Sequence, residues 1–437
     1  MSRLGVAFTT AITSPQLRRI VRRWHGLQGS AELHYFHDTS DPYGALTAAL
    51  LPALLAAYAV RLQPHLVPPP SAAFAPDRLR LQRWSLRDAE QWRVASGLLP
   101  HPLQEPSLAQ LAQAREGLAV SLRDGDFATV AGALSAALWC AGELPTLPSP
   151  TDLAGTDERQ GEAEQRRRGG YLGASFWFRG EWFWGLDRLP RLLEQLHAAG
   201  LQRGPLPFTA PTLTPKNRTA IRPYHGPDTA DAPVASQRSP AVPVLDFWCS
   251  LRSPYTYLAL PRIRAWATSG AVEVRLRPVL PMVMRGLAVP LRKRLFILRD
   301  AKREAEHLGL PFGRVADPIG RPTERGLAIL HEVLITDGTL AALDFAESFL
   351  RGVFAEGIDA GSDSGLAHLA ARAHVAPATR TRALHSSAWR AAAESHREAL
   401  LATGLWGVPT FQVPGFAAQW GQDRLDLIEQ QWRAFPA

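Results

Sequence analysis

Ser253 stands directly before Pro254 in Ser253-Pro254-Tyr255-Thr256, with apolar residues following at Leu258, Ile263 and Trp266. A serine cap, a proline in the first helical position and that apolar spacing predict the start of a helix. The free N–H groups and the dipole at such an end favour an anion, and a hydroxyl there can donate to one. A thiolate is one anion that would suit the place. Lowering a thiol pKa from about 8.5 by one to two units takes only about 1.4 to 2.7 kcal/mol, within reach of one charge-assisted hydrogen bond plus the dipole. Taken alone, the same residues also describe an ordinary helix start. Asp423 sits likewise where the last helix is expected to begin, and a carboxylate there suits the dipole.

The chain's own sulfur is sparse. Cys140 and Cys249 are the only cysteines, so there is no Cys-x-x-Cys pair, no cysteine-rich zinc site and no disulfide framework. Cys249, four residues ahead of Ser253, reads as a buried strand cysteine, with a redox thiol beside the site as the sharper alternative. The thirteen histidines show no metal-ligand spacing, so no metal is expected. There is no GxSxG, Walker or dinucleotide fingerprint.

The elements that must position these residues follow from periodicity. Val242 to Trp248 suits a buried strand, and Ala271 to Arg277 alternates Val272, Val274 and Leu276 against charged neighbours. Joined through a helix at Pro254, these two become parallel strands with a crossover. From about Leu291 to His396 the pattern is helical, with breaks at Pro311, Pro318, Pro322, Asp337-Gly338 and Gly357. Thr410 to Val413 and Gln419-Trp420 predict a hairpin around Pro414-Gly415, followed by a helix over Asp423 to Phe435.

This plan occurs twice. Between Gly204 and Pro243 lie nine prolines and little apolar pattern, which reads as an extended linker. On either side the segments match in order. Tyr35-Phe36-His37 with Asp41-Pro42-Tyr43 answers Phe247-Trp248-Cys249 with Ser253-Pro254-Tyr255, and Val60 to Pro64 answers Val274 to Pro278. Leu86-Arg87-Asp88-Ala89 with Gly97-Leu98-Leu99-Pro100 answers Leu298-Arg299-Asp300-Ala301 with Gly309-Leu310-Pro311. Trp184-Gly185-Leu186-Asp187-Arg188-Leu189 answers Trp420-Gly421-Gln422-Asp423-Arg424-Leu425. A tandem duplication is expected, with domains at 1–203 and 242–437 and a linker at 204–241.

Over Val242 to the C-terminus the sequence resembles the DsbA-like branch of the thioredoxin superfamily, within it most of all the kappa-class glutathione transferases and 2-hydroxychromene-2-carboxylate isomerases. The matching motifs are Asp246-Phe247, Ser253-Pro254-Tyr255-Thr256-Tyr257-Leu258, Arg277-Pro278, Gly309-Leu310-Pro311-Phe312, Glu356-Gly357, Gly407-Val408-Pro409-Thr410 and Trp420-Gly421-Gln422-Asp423-Arg424-Leu425. Pro261 resembles the proline in the first helix of many thioredoxins. The first half resembles the family more distantly. The resemblance implies an α/β fold of two tandem thioredoxin-like domains of DsbA/kappa type, each with a helical insertion.

It also implies glutathione as the cofactor, with the Ser253 hydroxyl on its thiolate as the catalytic contact. Tyr255, in the same motif, is expected to contact the bound glutathione as well. Pro409 is expected to be cis, so that the Val408 backbone pairs with the cysteinyl segment. Gln422 and Asp423 would receive the γ-glutamyl end, although Gln422 departs from the serine or asparagine often found there. Met282, Met284, Arg285, Lys293, Phe296 and Arg303 come from the segment that lines the second-substrate pocket in relatives. Ser253 and Thr256 replace the two cysteines of the DsbA motif, which argues against dithiol–disulfide cycling at this site. The expected activity is a glutathione-dependent isomerase or transferase acting on a small conjugated or aromatic electrophile. The alternatives are an oxidoreductase using glutathione as the redox thiol, and a non-catalytic binding or scaffold protein. In the first half Asp41 replaces the serine and Ser175 takes the place of the cis proline, so that half is expected to be a structural partner. Relatives are commonly homodimers, which makes the chain an expected intrachain pseudo-dimer.

Composition bounds the rest. The 437 residues are 46% hydrophobic and 20% charged, material for two ordinary domains. The net charge of +8 comes from arginines spread along the chain, not gathered as a nucleic-acid footprint. No apolar run approaches the roughly 20 residues of a membrane span. Residues 1–24 place arginines at 18, 19, 22 and 23 beyond a weak apolar stretch, which reads as a short amphipathic helix and not as a signal peptide. A reduced, cytoplasmic setting is expected.

Overall fold

The computed structural model describes residues 31–140, 142–144, 153–205 and 242–434, together with Ser14 and Ile20. The amphipathic helix expected over residues 1–24 and nearly all of the 204–241 linker lie outside the described residues. The described chain is mixed α/β with two four-stranded sheets. It divides into two compact units, one holding 31–205 with 289–296 and the other 242–288 with 297–434.

In the first unit β1 (Glu32–His37), α1 (Pro42–Ala57) and β2 (Arg61–Leu66) are followed by four helices: α2 (Arg78–Ser96), α3 (Leu108–Asp124), α4 (Phe127–Trp139) and α5 (Leu153–Arg167). Then come β3 (Ser175–Phe178), β4 (Glu181–Trp184) and α6 (Leu189–Ala198). The second unit repeats the order with β5 (Val244–Cys249), α7 (Pro254–Thr268) and β6 (Glu273–Pro278). The helices that follow are α8 (Leu291–His307), whose residues 291–296 group with the first unit, then α9 (Arg321–Thr336), α10 (Gly338–Arg351), α11 (Asp363–Arg372), α12 (Pro377–His385) and α13 (Ala388–Ala402). The hairpin β7 (Thr410–Gln412) and β8 (Gln419–Trp420) precedes α14 (Leu425–Arg433).

The sheets are ordered β2-β1-β3-β4 and β6-β5-β7-β8. In each, the first two strands are parallel and the remaining pairs antiparallel. The sequence of β5 explains its central place: Leu245, Phe247, Trp248 and Cys249 are all buried, as a strand with neighbours on both sides requires. Phe247 faces Phe411 across the β5–β7 pair with their rings stacked at 5.1 Å. β6, at the sheet edge, buries Val274, Leu276 and Pro278 and leaves Glu273 and Arg275 exposed. Both strands begin two residues later than periodicity predicts, and the Glu273 N–H donates to the Pro243 carbonyl at 2.8 Å where the pairing starts.

Matching backbone bonds recur in the two units. Val67 N donates to His37 O and Val279 N to Cys249 O, both at 2.9 Å. Gly185 N donates to Ala174 O and Gly421 N to Pro409 O, again both at 2.9 Å. These pairs, with Ser175 opposite Trp184 and Thr410 opposite Trp420, fix the correspondence of the loops. Ala174, not Ser175, therefore stands where the second unit has Pro409; Ser175 matches Thr410. The sequence comparison placed this loop one residue out because β3 and β7 share only their aromatic residue, Phe176 against Phe411.

Candidate functional site

The loop from Cys249 into α7 ends in Ser253, which has extended backbone angles and caps the helix, its Oγ accepting the Thr256 N–H at 3.1 Å. Pro254 needs no donor partner in the first turn, so the sequence terminates the loop and starts the helix at one point. The turn is pinned from outside. Both oxygens of Asp317 accept from Arg252, at 2.6 Å each, and Ser253 N donates to Ser250 O at 3.1 Å. Thr256 is buried, with its hydroxyl facing the Ser250 N–H at 3.5 Å.

Opposite the cap runs the loop into β7. The Val408–Pro409 peptide is cis. The Ser253 hydroxyl donates to the Val408 carbonyl at 3.3 Å, a long O–H···O contact. Ser253 and Val408 are half-buried and Pro409 is buried. Gly407 makes the approach possible: a Cβ there would fall 2.2 Å from Cζ2 of Trp420. The Pro409 carbonyl takes the Gly421 N–H, which brings the start of the closing segment against the same loop. A short 3₁₀ turn, Gln422–Arg424, follows before α14. Gln422 is buried and its amide donates to Asp423. Ser253, Val408 and Pro409 thus meet directly, while Gln422 and Asp423 join through Gly421.

Tyr255 turns its hydroxyl to Asp300 of α8 at 2.8 Å, and Arg303 donates to the other Asp300 oxygen at 2.6 Å. The first unit has the same tie, from Tyr43 to Asp88. The Leu-Arg-Asp-Ala match between the halves is explained by it: the aspartate anchors the first turn of α1 or of α7 to a helix that follows β2 or β6. Among the second-substrate candidates, Met282, Met284 and Arg285 form a 3₁₀ turn after β6, and Arg285 donates to the Trp406 carbonyl at 3.0 Å. Lys293 and Phe296 group instead with the first unit.

Cys249 is buried in β5 and burial pushes its thiol well up, so it is the core cysteine that its strand position suggested. In the first unit Asp41 caps α1, accepting the Tyr43 N–H at 3.0 Å. Burial first, and the neighbouring Asp38 second, raise its carboxyl to about 8. Burial therefore works against the anion expected from sequence at this position. Ala174, in the loop before β3, is fully buried at a φ of 49°, a left-handed conformation uncommon for a residue with a side chain. Sequence reasoning missed Asp317, Asp300 and the Arg285–Trp406 bond. Only Asp300 left a signal, in the repeated Leu-Arg-Asp-Ala.

Residues 244–433 match the family model described as a DSBA-like thioredoxin domain. No curated protein matches the chain. Similar solved structures include a 2-hydroxychromene-2-carboxylate isomerase, 22% identical, with 43% of this chain and 93% of that chain covered and a TM-score of 0.36. The cytosolic disulfide reductase DsbM of Pseudomonas aeruginosa is 19% identical, with 44% and 96% covered and a TM-score of 0.35, and is also described with GSH. A probable DsbA oxidoreductase of Streptomyces coelicolor is 17% identical, with 45% and 92% covered and a TM-score of 0.36. From the family match and the observed topology, residues 244–433 form a DSBA-like thioredoxin domain.

Proposed function

We propose that the second unit binds glutathione and uses its sulfur to isomerise or conjugate a small conjugated or aromatic electrophile. The observation that carries this reading is the Ser253 hydroxyl, held at the end of a 15-residue helix within 3.3 Å of the Val408 carbonyl. On binding, the serine O–H leaves that carbonyl and donates to the thiolate, and the cysteinyl N–H of the tripeptide takes its place on Val408. A neutral hydrogen bond is exchanged for a charge-assisted one, which favours the ionised sulfur. Gln422 and Asp423 receive the γ-glutamyl end, the Asp423 carboxylate opposite its ammonium. The thiolate then adds to the electrophile. Expulsion after bond rotation returns glutathione and completes an isomerisation; retention of the new C–S bond, with the carbanion taking a proton from water or an aryl halide losing its halide, gives a transferase.

In this reading the chain is a duplicated pair and the first unit binds no glutathione. Its cap is a carboxyl that already accepts the Tyr43 N–H, and its loop carries Ala174 where the second has Pro409. Calorimetry with millimolar glutathione on the full chain tests the proposal. Heat of binding in the parent and weaker binding in Ser253→Ala are expected; no heat in the parent leaves a scaffold. Assay of 2-hydroxychromene-2-carboxylate, an aryl halide and a mixed disulfide in parallel then separates isomerase, transferase and oxidoreductase.

A further inference from the structure

We propose that Arg285 belongs to the sulfur site, its guanidinium supplying a positive field, beyond that of the α7 end, which holds a thiol at residue 253 or bound beside it in the ionised form. Where the sulfur is glutathione's, this deepens the function proposed above; the field itself does not depend on it.

Arg285 closes the 3₁₀ turn after β6, and its Nη2 donates to the carbonyl of Trp406 at 3.0 Å. Trp406 lies two residues before Val408, whose carbonyl accepts from Ser253. Guanidinium and hydroxyl therefore hold the same short loop. In its pairing Arg285 differs from several other arginines of the second unit. Arg252 is bonded to Asp317, Arg277 to Asp246, Arg303 to Asp300, and Arg397 to Glu394. Arg285 has no carboxylate oxygen within 4.0 Å among the described residues, and its Nε–H is buried without an acceptor. The indole N–H of Trp406 is a second buried donor without one. A cation partly withdrawn from water without a counter-ion is costly, and an anion that arrives with the ligand relieves that cost.

Two charged groups on α13 face it. Arg397 adds to the positive potential, and Glu394, which opposes it, is already bonded to Arg397. Burial and Arg397 lower the Arg285 pKa to about 10, so the guanidinium stays charged at neutral pH. The first unit provides an internal contrast. The stretch after β2, Val67 to Ala75, contains no charged residue, and that unit caps its helix with a carboxyl. The unpaired cation accompanies the hydroxyl cap. Ionisation breaks only the S–H bond, and the proton leaves to water.

The test places the sulfur on the protein, so it needs no glutathione. In the full chain with Cys140→Ser, Ser253→Cys puts a thiol at the cap, and its titration is read by ultraviolet thiolate absorbance and by alkylation rate against pH. The expected cap thiol titrates below about 8.5. Adding Arg285→Gln raises it by about one unit, slowing alkylation at neutral pH up to about tenfold, and Arg285→Lys restores most of the shift. Should the glutamine variant unfold, Glu394→Gln gives an independent reading: removing the opposing carboxylate lowers the thiol pKa. An unchanged titration in Arg285→Gln, a lysine variant that behaves as glutamine does, or an unchanged or raised pKa in Glu394→Gln overturns the proposal. Calorimetry with glutathione on the Ser253 protein reports separately: absence of binding there removes the glutathione function and leaves the Arg285 result standing.

Discussion

The Ser253 oxygen has two duties that can be separated by substitution. It accepts the Thr256 N–H as a helix cap and donates its own proton across to Val408. Ser253→Ala removes both, and should cost about 1 kcal/mol of stability together with at least about a tenfold loss of kcat/KM at neutral pH as the thiolate fraction falls. Ser253→Asp keeps a good cap but presents a like charge to the thiolate; thermal unfolding should stay near the parent while glutathione binding is lost. Asp41 in the first unit makes a complementary case. Its carboxyl, at 3.8 in an unfolded chain, is raised to about 8, so the native state binds a proton that the unfolded state has released. Stability is then fully present below about 4 and declines as pH rises towards about 8. Asp41→Asn retains an N-cap side chain without the titration. Its melting temperature relative to the parent should climb by several degrees between those limits and level off above them, as scanning calorimetry can follow; a constant difference would contradict the assignment.

At the scale of elements, the loop into β7 is shaped by close packing. With Trp420 ring atoms 2.2 to 2.6 Å from where a Gly407 Cβ would stand, Gly407→Ala must displace the loop or the indole. We expect a loss of about 1 to 3 kcal/mol in denaturant unfolding and weaker glutathione binding, although residue 407 contributes no side chain to the ligand. Most of these elements were legible from periodicity and turn residues: the apolar run of β5, the alternation of β6, Ser253-Pro254 at the start of α7 and Pro414-Gly415 between β7 and β8. The ties between elements were not. Asp317 reaches Arg252 across 65 residues and Arg285 reaches Trp406 across 121, and local pattern carries no information at those separations. The one long tie that could be anticipated, Asp300 to Tyr255, was visible because it occurs twice.

For the molecule as a whole, the two sheets share one strand order, and the comparison of halves read that architecture from sequence. It failed at residue resolution in the loop before β3, where Ala174 and not Ser175 corresponds to Pro409, because a register is set by backbone bonding that side-chain identity only echoes. If one unit carries the site, calorimetry should give one glutathione per chain. Asp41→Ser should leave that number unchanged, since the Ala174 loop and the uncharged stretch after β2 remain; a second equivalent of glutathione would show the first unit to be competent. The most direct test of the central claim is the ultraviolet thiolate absorbance of glutathione titrated with pH in the presence of the protein. Bound glutathione should ionise about one to two units below its free value of about 8.5, and Ser253→Ala should abolish most of that shift. An unshifted bound thiol in the parent, or an equal shift in the alanine variant, would contradict the claim.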